Sequence, residues 1–295
     1  MVGFAPGKGD RAGLELGALL ARSGKEDLRV VTVVPSWWPT PVAGGVDREY
    51  AAWSRAHGEG AVAEASSFLA EICPDVTGTA AWVSARSVSS GLLSESETPG
   101  TRMVVVGSGR GGGYGQVHLS SAAQVLLHAS TVPIALAPRG FHAPAGTIGS
   151  RVTCAFRGDE VSRFIVARAA ALCAEVGATL RVATFAVRGR TMYPPETGLH
   201  DEDMVMDAWV EQAHSLQAEA LSGLQEVPAD VETAVAHGAS WQAALDRLPW
   251  ERDEVLVVGS SRGGAATRLF LGSNATKILR VSPVPTIVVP EGALA

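Results

Sequence analysis

The chain has 295 residues, of which 46% are hydrophobic and 18% charged, and it therefore has enough apolar material for about two ordinary domains. A net charge of −6, without a run of Lys and Arg, argues against a nucleic-acid-binding surface. No apolar stretch approaches the roughly 20 residues that a membrane-spanning helix needs. We therefore predict a protein without a nucleic-acid partner and without a membrane segment.

The N-terminus and the cysteines indicate the compartment. The opening "MVGFAPGKGD" has no basic region followed by a long apolar one, so no signal peptide is predicted. Cys73, Cys154 and Cys173 form an odd set without C-x-x-C spacing. We expect them to be buried thiols in a reducing environment, and we predict a cytoplasmic protein.

The first part of the chain predicts strands that alternate with helices. A short strand at 2–4 and a helix precede "LRVVTVVP", whose β-branched residues predict a second strand. A helix over roughly 46–72, a strand near 79–83 and a short helix lead to the strand "MVVVG". A glycine-rich loop, a helix and the strand "PIALAP" follow. Continuous apolar strands between helices predict a parallel sheet covered on both faces.

The remainder of the chain repeats this order at a constant offset. Gly107 of "MVVVGSGRGG" matches Gly259 of "VLVVGSSRGG", and 259 − 107 = 152. The same offset lays "GFAPGKGD" over "AFRGDEVS" and aligns the prolines before the last strands. One offset for both ends predicts two copies of one domain, over 1–140 and 150–295, joined by the Gly- and Pro-containing segment 139–150.

A glycine-rich turn after the fourth strand of each copy is the candidate anion site. Open parallel sheets bind ligands beyond the carboxyl ends of their strands, where the strand order reverses. Glycines let backbone N–H groups approach an anion, and a helix N-terminus adds unpaired N–H groups. Gly272-Ser273-Asn274 precedes the helix "ATKILR", and Ser120-Ser121 precedes "AAQVLL". The alternative is that these serines only cap their own helices.

Both copies resemble the C-terminal signature of the universal stress protein family. The segments are "VVVGSGRGG…LSSAAQVLLHASTVPIALAP" and "VLVVGSSRGG…FLGSNATKILRVSPVPTIVVP". The family pattern is Gly-x-x-Gly, nine residues, Gly-Ser or Gly-Thr, a helix and a final strand. The resemblance covers nearly the whole chain as a tandem pair. It implies two open five-stranded α/β domains that are Rossmann-like and similar to adenine nucleotide alpha hydrolases.

The resemblance also implies partners and a ligand. The two domains would pair through their last strands, chains would pair again as a homodimer, and ATP or AMP, with Mg accompanying ATP, would lie in the clefts. The nucleotide-binding positions implied for the second copy are Gly259, Arg262, Gly263, Gly272, Ser273 and Asn274, and those for the first copy are Gly107, Arg110, Gly111, Ser120 and Ser121.

The chain departs from the family pattern at the adenosine contacts. ATP-binding members end the first strand with an Asp, which Ala5 and Arg157 replace here. Arg110 and Arg262 occupy the position of the second motif glycine, with glycine one place later. An arginine there either clamps phosphate or fills the space that a phosphate would take. Ser120 also replaces the glycine that the second copy keeps.

Catalytic motifs are incomplete. "GSGRGG" follows the fourth strand, whereas a Rossmann dinucleotide fingerprint follows the first. "GSSRG" resembles a nucleophile elbow, but no histidine follows it. The seven histidines are scattered, and neither glycine-rich loop contains a carboxylate. We expect no enzyme beyond a weak ATPase. The sequence predicts a stress-response regulator that binds a nucleotide in one or both domains, or an assembly module with degenerate sites.

Overall fold

The computed structural model describes residues 1–7, 11–36, 46–187, 199–262, 269–270 and 273–290. The strands up to residue 140, the first half, are β1 (Val2–Gly3), β2 (Leu28–Pro35), β3 (Gly78–Ala85), β4 (Val104–Gly107) and β5 (Ile134–Ala137). The helices of the first half are α1 (Ala12–Gly24), α2 (Val46–Ile72), α3 (Val88–Ser96) and α4 (Ser121–Ala129).

The second half, from residue 150 on, repeats the arrangement. Its strands are β6 (Arg151–Ala155), β7 (Thr179–Val187), β8 (Val231–Gly238), β9 (Val255–Gly259), β10 (Ser261–Arg262), β11 (Leu269–Phe270) and β12 (Thr286–Val289). Its helices are α5 (Glu160–Val176), α6 (Leu199–Ser222), α7 (Trp241–Leu245) and α8 (Ser273–Val281). Strands β10 and β11 form a small antiparallel sheet of their own within the glycine-rich loop, which the sequence did not predict.

One ten-stranded sheet runs through both halves in the order β3-β2-β1-β4-β5-β12-β9-β6-β7-β8. Neighbouring strands are parallel within each half, and β5 and β12 meet antiparallel, with Leu136 opposite Thr286. The predicted α/β fold is therefore confirmed, and the two halves pair through their last strands. The limits of the domains, 1–140 and 150–295, stay a prediction.

The core lies on both faces of this sheet. Strands β4 and β5 are buried almost throughout, because helices cover them from both sides. One apolar cluster packs α1, α2 and α5 against the sheet, and the other packs α4 and α8 against the opposite face. The second cluster joins residues of both halves, including Leu126 and Leu127 of α4 and Ile278 and Leu279 of α8. The two halves therefore share a continuous core.

Three structural observations bear on the predictions about thiols and membranes. Cys73, Cys154 and Cys173 are free and buried, as predicted. Burial raises the pKa of Cys173 to about 12, so this thiol is not reactive at neutral pH. Across the described part of the chain, no helix combines the length and the apolar character that crossing a bilayer requires.

A charged network is buried near the amino ends of β6, β7 and β9. Arg181 and Glu254 form an ion pair whose side chains are 2% and 0% exposed. Glu254 also accepts hydrogen bonds from the Thr153 hydroxyl and from the backbone N–H of Glu251, the latter at 3.0 Å. Burial raises the pKa of Glu254 and lowers that of Arg181, because desolvation acts against both charges. Arg181 also donates to the Thr153 hydroxyl at 2.9 Å, and these bonds offset part of the desolvation cost.

The segment that joins the halves is fixed to the first half. Asp75 accepts a hydrogen bond from Gly146 N at 3.1 Å and pairs with Arg22, which donates to Thr147 O at 2.7 Å. Ser23 Oγ accepts from Gly149 N at 2.9 Å. Sequence composition predicted a linker here, and these bonds dock it along α1 and the end of α2.

Replacing Asp75 with Asn is expected to loosen this segment in a pH-dependent way. The Arg22 side chain, followed by Gly146 N–H, lowers the pKa of Asp75 to about 2. Its stabilising contribution is therefore present above about pH 4, the unfolded value, and is lost as the pH falls towards 2. Because the pair is partly exposed, we expect a loss of only about 1 kcal/mol at pH 7. Thermal unfolding of both proteins between pH 2 and 7 measures it.

The control for Asp75→Asn is Glu97→Gln, which neutralises an exposed carboxylate of the same half. The stability difference between the wild type and Asp75→Asn should vanish near pH 2, while the control stays close to the wild type. A difference that is constant over the whole pH range would show that the charge of Asp75 does not hold the segment.

Candidate functional site

Two clefts lie where the strand order reverses, one in each half. The reversal falls between β1 and β4 in the first half and between β6 and β9 in the second. Phe4 and Ala5 follow β1, and Phe156 and Arg157 follow β6. These strand ends bring the predicted glycine motifs to the same edge of the sheet, where open α/β proteins bind ligands.

The cleft of the second half contains a cavity of about 90 Å³. We call it the second-half cavity. Its wall is largely apolar, and the large apolar side chains that line it are Phe156, Val161, Phe185, Trp241, Val258 and Ile278. Its polar groups are few, and they come from Arg157, Asp159, Ser162, Ser260 and Asn274. An apolar wall with a few convergent polar groups is typical of a small-molecule site.

A carboxylate is present at the strand end, two residues after the position at which the family pattern places it. Asp159 caps α5 by accepting a hydrogen bond from Ser162 N at 2.9 Å. Its other oxygen accepts from Arg157, with Arg157 Nε at 3.0 Å. Burial works against the charged form of Asp159, but the bonds from Ser162 and Arg157 outweigh it and lower the pKa. Both oxygens are thus engaged, and Arg157 neutralises the charge.

Ser260 places a hydroxyl in the wall of the cavity. The residue is 1% exposed, and its Oγ has no hydrogen-bond partner among the described residues. Its counterpart in the first half, Ser108, accepts a hydrogen bond from His118 N at 2.8 Å. An unpaired buried hydroxyl costs about 1–3 kcal/mol, so a ligand atom that bonds Ser260 would recover that energy.

The predicted residues of the second half are only partly within the described chain. Gly259 ends β9 in the wall, where an added Cβ would lie 2.7 Å from Ile165 Cδ1. Asn274 lines the cavity from the first turn of α8, which Ser273 begins. Arg262 lies in β10, but its side chain, Gly263 and Gly272 lie outside the described residues.

In the first half, α1 packs directly on the end of β4. A Cβ on Gly13 of α1 would lie 2.9 Å from Gly107 N, so the helix and the end of β4 meet with no side chain between them. Ile165 takes the position of Gly13 in the second half, 152 residues later. In the second half the Ile165 side chain packs against Gly259 at the end of β9.

The glycine-rich loop of the first half bonds to itself. Gly109 N donates to His118 O at 2.7 Å, and Arg139 Nη1 donates to Gly112 O at 2.9 Å. Ser120 caps α4 by accepting from Ala123 N at 3.1 Å, as the capping alternative anticipated, and Ser121 is the first helical residue. Arg110 and Gly111 are exposed on the loop, and Gly111 has a φ of 98°, which favours glycine.

Sequence reasoning missed several residues of the second-half cavity. Asp159 carried a usable signal, because an Asp before a helical segment is a common N-cap. Ser260 could have been chosen because it directly follows Gly259. Phe185 follows from β7 ending at the same sheet edge, whereas Trp241 comes from a short helix whose position no local pattern shows.

Side chains that could bind a metal do not cluster among the described residues. Over that part of the chain, His, Cys, Asp and Glu side chains form no group of three that could hold a metal ion. Mg accompanying ATP stays a prediction.

Comparisons with known proteins agree with this architecture. The universal stress protein family model matches residues 150–290. Universal stress proteins of Mycobacterium bovis and Mycobacterium tuberculosis are 39% identical over 290 residues, which cover 98% of this chain and 99% of each relative.

Solved structures share the fold over the whole length. A universal stress protein from Archaeoglobus fulgidus has a TM-score of 0.64 at 18% identity, covering 98% of this chain and 97% of its own. A functionally unknown protein from Pseudomonas aeruginosa has a TM-score of 0.58 at 15% identity, covering 99% and 92%. On the strength of the full-length mycobacterial relatives, this chain belongs to the universal stress protein family, as a tandem member with two repeated halves.

Proposed function

We propose that the chain is a cytoplasmic stress-response regulator whose second half binds an adenine nucleotide, ATP or AMP, in the cleft beyond β6 and β9. Family membership supports the stress-response role. The observation that carries the ligand proposal is the second-half cavity, because its wall contains the buried, unpartnered hydroxyl of Ser260. A ligand in the cavity would have this hydroxyl as a hydrogen-bond partner.

The size of the cavity determines which part of a nucleotide it could enclose. A volume of about 90 Å³ is well below the roughly 300–1,000 Å³ of a site that encloses a whole drug-sized ligand. The apolar cavity would take a ring, and Ser260 and Asn274 would offer it hydrogen bonds. The phosphates would lie outside, at the N-terminus of α8, because the first N–H groups of a helix have no partner within the helix.

The proposal assigns the ligand to the second half and not to the first. Gly13 and Gly107 bring α1 directly onto β4, and the loop that follows satisfies Ser108 and Gly109 internally. Phosphate would have to displace those bonds. We therefore propose that Gly107, Arg110, Gly111, Ser120 and Ser121 serve the structure of the first half, although the sequence predicted them as nucleotide contacts.

Catalysis is not part of the proposal. A general base must be free to accept a proton, but Asp159 is already bonded on both oxygens by Ser162 and Arg157. At most, the chain would hydrolyse bound ATP slowly.

A nucleotide-independent assembly module is the second candidate. It is favoured by the shared sheet, since β5 and β12 join the halves whether or not a ligand is bound. In this reading the chain would present a fixed surface to a partner, or to a second copy as a homodimer.

Thermal unfolding with and without Mg-ATP, and with AMP, separates the two candidates. A ligand at 100 times its dissociation constant adds about 2.7 kcal/mol, which corresponds to a rise of roughly 5–10 °C for a domain of this size. Tripolyphosphate is the control, because it carries the charge without the ring. Native mass spectrometry of the purified protein reports any nucleotide that it retains. No rise with either nucleotide and no retained ligand would favour the assembly module.

A further inference from the structure

We infer that α4 of the first half is a positioning element for the ligand site of the second half, acting through Ser260. The inference rests on the proposed nucleotide binding and adds a regulatory contact between the halves. The first half would then contribute to the binding affinity of the second.

Ser260 lies between the cavity and the junction of the halves. On one side it lines the second-half cavity. On the other it lines a crevice between the halves, which we call the seam crevice. The first half contributes Leu126, Leu127, Ser130, Val132 and Ile134 to the seam crevice, and the second half contributes Val288 and Pro290 besides Ser260. The antiparallel pair of β5 and β12 brings these groups together.

The seam crevice is narrower than the second-half cavity, and this bears on where the Ser260 hydroxyl can bond. The crevice is too narrow for a water molecule, whereas the cavity of about 90 Å³ has room for water or a ligand atom. The backbone N–H of Ser260 is already used, donating to Val289 O at 3.0 Å. We therefore place the partner of the hydroxyl on the cavity side, where there is room for one. Leu126 and Leu127 of α4 line the seam crevice together with Ser260.

Two further contacts connect α4 to the site. Strand β11, in the glycine-rich loop of the second half, lies beside α4 with Cα atoms within 8 Å. Leu126 and Leu127 also belong to the apolar cluster that contains Ile278, a residue of the cavity wall. Loosening α4 would therefore affect the hydroxyl, the loop and the wall together.

The test compares two buried leucines of the first half. Leu127 is 4% exposed and lines the seam crevice, whereas Leu69 of α2 is 7% exposed and packs at the outer strand β3. Affinity for ATP and AMP is measured by calorimetry for the wild type, Leu127→Ala and Leu69→Ala. We expect Leu127→Ala to weaken binding about threefold to tenfold, within the range reported for residues that couple sites without touching the ligand. Leu69→Ala should lower thermal stability but leave affinity unchanged.

Hydrogen exchange of the wild type provides a second measurement that needs no variant. Bound ATP should slow exchange of the α4 amides, and those of α2 should not change. If the wild type binds ATP but Leu127→Ala binds equally well, or if the α4 amides do not respond, the positioning role of α4 is overturned. If the wild type binds neither ATP nor AMP, the proposed function fails, and this inference fails with it.

Discussion

Gly272→Asp is expected to abolish nucleotide binding to the intact chain. Residue 272 directly precedes α8, whose first N–H groups are the proposed phosphate contacts. An Asp side chain at that position would itself accept hydrogen bonds from those N–H groups, and its negative charge would repel the phosphates. Losing two charge-assisted hydrogen bonds costs about 3 kcal/mol or more, which corresponds to a loss of affinity of at least about 100-fold. Calorimetric titration with Mg-ATP measures it.

The repeat provides the matched control for Gly272→Asp. Ser120 occupies the corresponding position of the first half, 152 residues earlier, and caps α4. Because Asp caps a helix about as well as Ser, Ser120→Asp should fold normally and bind nucleotide as the wild type does. If Ser120→Asp alone weakened binding, the nucleotide site would lie in the first half. Unchanged binding in Gly272→Asp would show that the phosphates do not bind at the N-terminus of α8.

Glu254→Ala is expected to be the most destabilising of the substitutions considered. It removes the acceptor for Thr153 and the counter-charge of Arg181, which remains buried. Breaking a buried pair from one side costs about 3–5 kcal/mol, or roughly 6–20 °C in the unfolding of the second half. Circular dichroism during heating and urea titration both report this loss.

Two variants distinguish the buried network from a general effect of charge. Arg102 holds the position that corresponds to Glu254, and its pair with Glu26 is exposed, so Arg102→Ala should cost no more than about 1 kcal/mol. Glu254→Gln keeps one acceptor oxygen and loses a charge that burial disfavours, so we expect a loss of about 1–2 kcal/mol. Equal losses of stability for Glu254→Ala and Arg102→Ala would mean that burying the network adds nothing to the cost of breaking an ion pair.

Elements with strong local patterns were predictable from the sequence. Strand β2 at Leu28–Pro35 and helix α2 at Val46–Ile72 have the predicted limits, because β-branched runs and long helical stretches determine their own conformation. Helix α6 spans Leu199–Ser222 and ends before Gly223. The constant offset of the repeat predicted two equivalent halves, and the resemblance to the family predicted their pairing.

The composition of the site was less predictable, because it depends on contacts between distant residues. Aligning the first strands showed Arg157 in place of a carboxylate, but the turn at Gly158, with a φ of 83°, brings Asp159 to the same cavity. Ser260 and Ser108 occupy corresponding positions of the two halves, and both are serine. Their difference appears only when the loop of the first half supplies His118 N to Ser108. No local pattern indicates which of two similar hydroxyls is left without a partner.

The junction of β5 with β12 has a consequence for assembly at different protein concentrations. Two separate one-domain chains that met along the same strand would come apart on dilution, whereas here the partner is always present at the high effective concentration that a covalent connection provides. The two halves are consequently free to diverge, because neither has to recognise a second copy of itself through that strand. Any larger complex must use another surface, such as the outer strands β3 and β8 or the helices.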